Sequence, residues 1–266
     1  MKHIARLSTR KFTTLNRINP LIKDMLRAKF PGLVGEKHGT PDKTSVVRIA
    51  LTGGPCAGKS SALSHLSDVV TKVGFDVILA PEVPTILFNA GIVFDHESTS
   101  FVETFQTNNL ALQLQLERTL THIAASTGRP TILILDRGLL DAKGYCDSDT
   151  WERCMSNVDI NDHRATITED YLLQRYDAVV HMDTAAKGAE KFYKHGWTTD
   201  DSGNKVFRRE TPKMAIVSDD NMLKAWKSHP KHIRVKNDEN GGFQKKLNSV
   251  AESVLEVALQ KHPQSV

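Results

Sequence analysis

The sequence predicts an α/β fold of three layers, a parallel sheet of five strands between two layers of helices. Short β-branched runs alternate along the chain with longer segments of helical period, the pattern of strands joined by crossover helices. One run, Pro130 to Leu135 (PTILIL), is nearly all apolar, which suits a parallel strand covered on both faces. The first run leads through a glycine-rich segment, GGPCAGKS, straight into a helical pattern.

Taken in chain order, residues 1–44 form a basic extension and linker ahead of the domain. They hold ten Lys/Arg against three Asp/Glu, a local charge of +7 in a chain of net +4, so the remainder is slightly acidic. Met1 to Lys23 contains no Asp or Glu, and Ile4, Leu7, Phe12, Leu15 and Ile18 recur at near-helical spacing. That composition fits a mitochondrial transit peptide, a helix lying on an anionic membrane, and a loosely attached arm alike. Pro31, Gly32, Gly35, Gly39 and Pro41 mark an irregular linker.

The domain is read as residues 45–262. Ser45 to Thr52 (SVVRIALT) is its first strand. A helix follows from Lys59 to about Val73 and ends at Gly74. Phe75 to Ala80 (FDVILA) is the second strand, and Ser100 to about Ala125 a long helix carrying Gln106, Gln113, Gln115 and Glu117. PTILIL is the third strand, Asp177 to Met182 (DAVVHM) the fourth and His232 to Lys236 (HIRVK) the fifth. Helices are expected over Met214 to Lys227 and Phe243 to Leu259. Lys194 to Arg209 (KHGWTTDDSGNKVFRR) reads as a polar, turn-rich loop of the kind that serves as a lid.

Composition narrows the classes. No apolar run is long enough to cross a bilayer, so a soluble protein of the cytoplasm or mitochondrial matrix is expected. Cys56, Cys146 and Cys154 include no Cys-x-x-Cys pair, which argues against a disulfide scaffold and a structural zinc. Nucleic acid is not an expected partner, because no recognition motif is present and the domain is slightly acidic.

Residues 53–60, GGPCAGKS, satisfy G-x-x-x-x-G-K-[ST] at every fixed position, with a strand before and a helix after. Glycine permits backbone conformations that turn successive N–H groups inward as an anion nest, and the following helix aims its positive end at the same point. The expected ligand is the polyphosphate of ATP or GTP, held by Gly53, Gly54, Pro55, Cys56, Ala57, Gly58, Lys59, Ser60 and Ser61. Lys59 brings a mobile charge, and Ser60 a hydroxyl for Mg²⁺. Cys56 reads as loop filler or as a redox-sensitive thiol.

Asp136 closes the third strand, where an acid can hold Mg²⁺ directly or through water; the metal set is thus Ser60 and Asp136. Arg137 can clamp a phosphate or pair with Asp141. Glu82 follows the second strand, at the edge where parallel sheets bind ligands, and can accept a proton from an attacking hydroxyl or serve as a helix N-terminal acid. Arg208 and Arg209 end the lid-like stretch and can neutralise charge on a moving phosphoryl group. Lys187, Lys191 and Lys194 form a basic run before the lid that can assist, or else a solvated helix face. The expected catalytic set is therefore Lys59, Glu82, Asp136, Arg137, Arg208 and Arg209.

GGPCAGKS, PEVPTIL, ILDRGLLD, TAAKGAEKFY and RRETP together resemble the NadR/Ttd-type P-loop NTPase domain, an AAA-like branch of the nucleotide-kinase-like P-loop superfamily, over roughly residues 46–258. The resemblance implies strand order 2-3-1-4-5, a lid, and ATP or GTP with Mg²⁺. It implies that Asp136 and Arg137 are the family's Asp-Arg pair and that Glu82 resembles the catalytic base of related nucleoside kinases. One branch of the family is a ribosylnicotinamide kinase and another binds GTP and phosphoinositides.

Two functions follow. The first is a small-molecule kinase that moves the γ-phosphoryl group to a hydroxyl of a nucleoside-like acceptor. The second is an ATP- or GTP-dependent regulatory protein that passes its state to a partner or, through residues 1–44, to an anionic membrane. A Ras-like form of the second is weakened because the only Asn-Lys, Asn204-Lys205, is followed by Val206 and Phe207 rather than by x-Asp.

Overall fold

The computed structural model describes residues 46–95, 97–158, 167–199, 205–208, 210–238 and 242–262. The expectations for residues 1–44 and for Arg209 lie outside them. In chain order the elements are β1 (Val46–Thr52), α1 (Lys59–Val73), β2 (Asp76–Ala80), α2 (Val83–Asn89), α3 (Thr99–Ser126) and β3 (Thr131–Asp136). A 3₁₀ turn (Leu139–Tyr145), α4 (Ser148–Asn157), α5 (Glu169–Leu173) and β4 (Ala178–Met182) follow. After a short 3₁₀ turn (Glu190–Phe192) come β5 (Gly196–Thr199), β6 (Lys205–Arg208), α6 (Pro212–Ala225), β7 (His232–Val235) and α7 (Gly242–Lys261).

The main sheet has five parallel strands in the order β2-β3-β1-β4-β7, the predicted 2-3-1-4-5 once the small hairpin is set aside. Strand alternation splits the apolar residues into two cores. Val47, Ile49 and Leu51 of β1 face one core with Leu66 and Val70 of α1 and Val250 and Val254 of α7. Val46 and Ala50 face the other with Leu110 and Leu114 of α3, Leu139, Leu140, Trp151 and Trp226. Both faces are covered, as a parallel sheet requires.

Sequence periodicity missed the short elements. α2 and α5 are 7 and 5 residues long, too short to repeat a helical period, whereas α4, at 10 residues, buries Thr150, Trp151, Cys154 and Met155 on one face, a helical stripe that was present in the sequence. Their starts are set by local chemistry instead: Asp147 and Thr168 cap α4 and α5 by accepting from the N–H of Thr150 and Tyr171, and Pro84 opens α2. The stretch read as a loop, Lys194 to Arg209, contains the antiparallel pair β5–β6, registered Trp197 to Phe207. Both arms are rich in β-branched and aromatic residues and are separated in sequence by Asp-Asp-Ser-Gly-Asn, so the hairpin signal was present.

The register places the site. Leu51 of β1 lies level with Asp136 of β3, and Ala80 of β2 with Leu135. The chain segments leaving β1, β2 and β3 therefore emerge side by side at the carboxyl edge of the sheet, carrying the glycine-rich loop, Glu82 and Arg137.

Candidate nucleotide site

The loop between β1 and α1 is bound to its surroundings by its outward edge. The Thr184 hydroxyl donates to the Pro55 carbonyl, the Ala185 N–H to that of Cys56 at 3.1 Å, and the Lys246 ammonium to that of Ala57 at 2.9 Å. In a trans peptide the N–H of the next residue points the opposite way. Turning these three carbonyls out therefore turns the N–H groups of Cys56 and Gly58 into the hollow of the loop, the nest that an anion needs. Gly53 and Gly58 hold φ of 138° and 89°, and Cys56 tolerates 55°. At Gly53 a Cβ would stand 2.1 Å from the Met182 carbonyl oxygen, so no larger residue fits.

Lys59 starts α1 and folds back across the loop. Its ammonium donates to the carbonyls of Gly53 at 2.9 Å and Gly54 at 3.3 Å. Burial and the neighbouring Arg137 pull it down to about 8, against the opposing pull of Asp136, Glu82 and Asp141. Ser60 is exposed at the mouth of the loop.

The structure brings Lys59, Glu82, Asp136 and Arg137 into one electrostatic group. Arg137 has a φ of 73°, and its N–H continues the β1–β3 ladder to the Leu51 carbonyl at 3.0 Å. Its Nε donates to Glu82 Oε1, while its Nη1 stands 4.0 Å from Asp141 Oδ2. Glu82, rather than Asp141, is thus its main partner. Burial, outweighed by Tyr145, Glu82 and Asp141, leaves the guanidinium well above its ordinary value. Glu82 stands at the N-cap position of α2, as its helix-start reading expects, and its Oε2 accepts from the Thr85 hydroxyl at 2.6 Å. Burial works to raise its carboxyl, but Arg137 and Lys59 outweigh it and hold it at about 2.

Asp141 does structural work. It accepts from the Thr52 hydroxyl at 2.5 Å and from Trp226 Nε1 at 2.7 Å, joining β1 to the end of α6. Asp136 differs: its Oδ1 is buried and has no hydrogen-bond partner, and burial pushes its carboxyl above the ordinary value. An unpartnered buried carboxylate oxygen is a hard donor of the kind that suits a divalent cation.

Other expectations are revised or lie beyond reach. Lys187 is not on a solvated helix face: it is largely buried and pairs with Asp219 and Asp220, both at 2.7 Å. Helix α6 places Asp219 there, under the loop, and a long-range carboxylate partner is not visible in sequence. Cys56 is half-buried with its Sγ 3.6 Å from the Lys194 carbonyl oxygen, so it ties the loop to the base of the hairpin stretch. Arg208 ends β6, the second strand of the hairpin.

Sequence reasoning missed Asp219 and Lys246. Asp219 Oδ1 accepts from the Gly54 N–H at 2.8 Å and lies 3.1 Å from His181 Nε2. Those bonds, with Lys187, hold its carboxyl well below the ordinary range against its burial. A signal did exist. Ala215, Asp219, Met222 and Trp226 form one stripe at helical spacing, as do Lys246, Val250 and Val254. A charge on an otherwise apolar stripe marks a buried polar partner.

Residues 48–245 match the family whose description is an AAA domain. No curated protein matches the chain. Among solved structures the chain is similar to thymidylate kinase from Ehrlichia chaffeensis, with 14% identity, a TM-score of 0.48, and 80% of this chain and 98% of that one covered. It is also similar to the NadR protein in complex with NAD and AMP-PNP, with 11% identity, a TM-score of 0.47, and 80% of this chain but 49% of that one covered. With the match running from β1 into α7, and with the loop and strand order described above, the chain belongs to the AAA-domain family and has a P-loop NTPase fold.

Proposed function

We propose that the protein is an ATP-dependent kinase that transfers the γ-phosphoryl group to a hydroxyl of a small, nucleoside-like acceptor. The observation that carries this reading is the gathering of Lys59, Glu82, Asp136 and Arg137 beside the phosphate loop at one edge of the sheet. The loop holds the phosphates, and Lys59 leaves the Gly53 and Gly54 carbonyls to meet the outer ones. Ser60 and Asp136 hold Mg²⁺, which neutralises phosphate charge when bound. Arg137 lies where charge builds on the moving group.

Glu82 takes a particular part in this reading. Paired with Arg137 and ionised down to about pH 2, it is a weak base in the resting state. An acceptor hydroxyl that displaces Arg137 from the carboxylate removes the partner that lowers it, which raises its basicity and frees the guanidinium for the phosphoryl group. In a loose transfer the proton leaves late, so an orienting carboxylate suffices.

The test is ADP formation from ATP and Mg²⁺ across a panel of nucleosides and vitamin precursors. If no acceptor lifts turnover above the rate with water alone, the kinase reading fails, and affinities for ATP and GTP with and without anionic vesicles then examine the regulatory alternative.

A further inference from the structure

Lys246 is a lysine in the middle of the domain. It is 4% exposed, on the buried stripe of α7. An ammonium has three donors, and here each has an acceptor: the Ala57 carbonyl at 2.9 Å, the Asp183 carbonyl at 2.5 Å and Asn237 Oδ1 at 2.8 Å. All three acceptors are neutral. The nearby carboxylates are engaged elsewhere: Asp183 takes Arg234 in a two-pronged pair at 2.7 and 3.0 Å, and Asp219 takes Lys187, His181 and the Gly54 N–H. Neither carboxylate pairs with it directly; burial, with some repulsion from Lys59, outweighs their attraction and holds the ammonium at about 8. Burying a charge without an ionic partner is costly, and an apolar side chain of similar length would complete the stripe more cheaply. A fixed positive charge directly behind an anion nest is accounted for if an anion is what completes it.

We propose that Lys246 is a positioning residue of the phosphate site, holding the Ala57–Gly58 peptide with its N–H turned toward the phosphates and adding a second positive charge behind the loop. This rests on the reading that the loop takes a nucleoside triphosphate, and it assigns part of that binding to a residue 189 positions away in sequence. Asn237 extends the same brace. Its Nδ2 donates to the Thr184 and Lys187 carbonyls, both at 2.7 Å. The segment that follows β7 is thereby tied, through Lys246, to the loop that follows β1.

The experiment compares the full chain with Lys246→Met, titrating the fluorescent mono-, di- and triphosphates of one nucleoside and recording melting temperature alongside. A wild-type protein that binds none of them refutes the phosphate-loop reading itself, and the proposal with it. Given wild-type binding, the proposal expects Lys246→Met to lose about 10-fold in triphosphate affinity, as for a charge-assisted hydrogen bond, and distinctly less for the monophosphate. Unchanged affinity, or an equal loss for all three ligands, overturns it and leaves a structural clip. Should Lys246→Met not fold, Lys246→Gln carries the same comparison. If neither folds, Lys246 is a structural clip and the proposal is overturned.

Discussion

At the scale of single residues, Lys59 and Glu82 make separable predictions. Lys59→Met removes the mobile charge while keeping the length of the chain. Triphosphate affinity is expected to drop by about 10- to 100-fold, the worth of a hydrogen bond to a charged group, in a fluorescence titration. Because burial has already pulled Lys59 down to about 8, its unfolded counterpart holds a proton more tightly. Its protonated form is therefore a strain on the folded protein below pH 8, relieved as pH rises toward 10.5, and Lys59→Met should stabilise the ligand-free chain at neutral pH. Glu82 has the opposite sign. Its folded value of about 2 lies below the ordinary 4.5, so its contribution is complete above pH 4.5 and is lost as pH falls from there to about 2. On the order of 3 kcal/mol of stability should vanish across that window, and thermal melts of Glu82→Gln against the wild type should show the difference confined to pH above it. The same variant is expected to lower acceptor-stimulated turnover while leaving triphosphate affinity nearly unchanged.

At the scale of elements, the site depends on joints between them. Asp141 in the 3₁₀ turn receives the Thr52 hydroxyl at the end of β1 and Trp226 Nε1 after α6, and Trp226 is buried among the core residues beneath. Asp141→Ala orphans both donors, and the Gly138 N–H that Asp141 Oδ2 accepts at 3.3 Å, in a buried place. We expect a loss of about 2–4 kcal/mol, since each unsatisfied buried group costs about 1–3, read as a shift of the urea midpoint at constant slope. A second brace reaches the turn around Gly138 from behind. Gln113 of α3 donates to the Arg137 carbonyl at 3.0 Å, and Tyr176 accepts from the Leu139 N–H at 2.8 Å. Both side chains meet on Glu117, which is bonded to Arg175 as well. Tyr176→Phe removes one hydroxyl with little change in volume. It should cost about 1–2 kcal/mol and, by loosening the turn that carries Arg137, lower turnover more than nucleotide affinity in a steady-state assay.

At the scale of the whole molecule, what could be read from sequence divides along physical lines. The five main strands and the long helices were legible because each repeats its period or runs apolar for long enough to be counted, and the order of the strands followed from family resemblance. The phosphate loop was legible because its residues are contiguous: Gly53 to Ser60 carry their chemistry in one string. The gathering of Glu82 and Arg137 was only half legible, since both stand at strand ends, whereas their pairing depends on β2 and β3 being neighbours. Asp219 and Lys246 were not found, because a partner 165 or 189 residues away leaves no local trace beyond a charge on an apolar stripe. The same division bears on stability. The β4 exit, α6 and α7 are all hydrogen-bonded to the loop, so a ligand held by the loop ties these parts of the chain at once and should stabilise the fold as a unit. A ligand at about 100 times its dissociation constant adds about 2.7 kcal/mol, which for a domain of this size is about 5–10 °C in melting temperature. Magnesium triphosphate is therefore expected to raise the melting temperature by that amount, and the monophosphate of the same nucleoside at equal concentration by much less. Lys59→Met should abolish most of the difference between the two ligands. A wild-type melt that the triphosphate does not move, at concentrations up to the millimolar range typical of weak ligands, would mean that the hollow behind β1 is not a phosphate site.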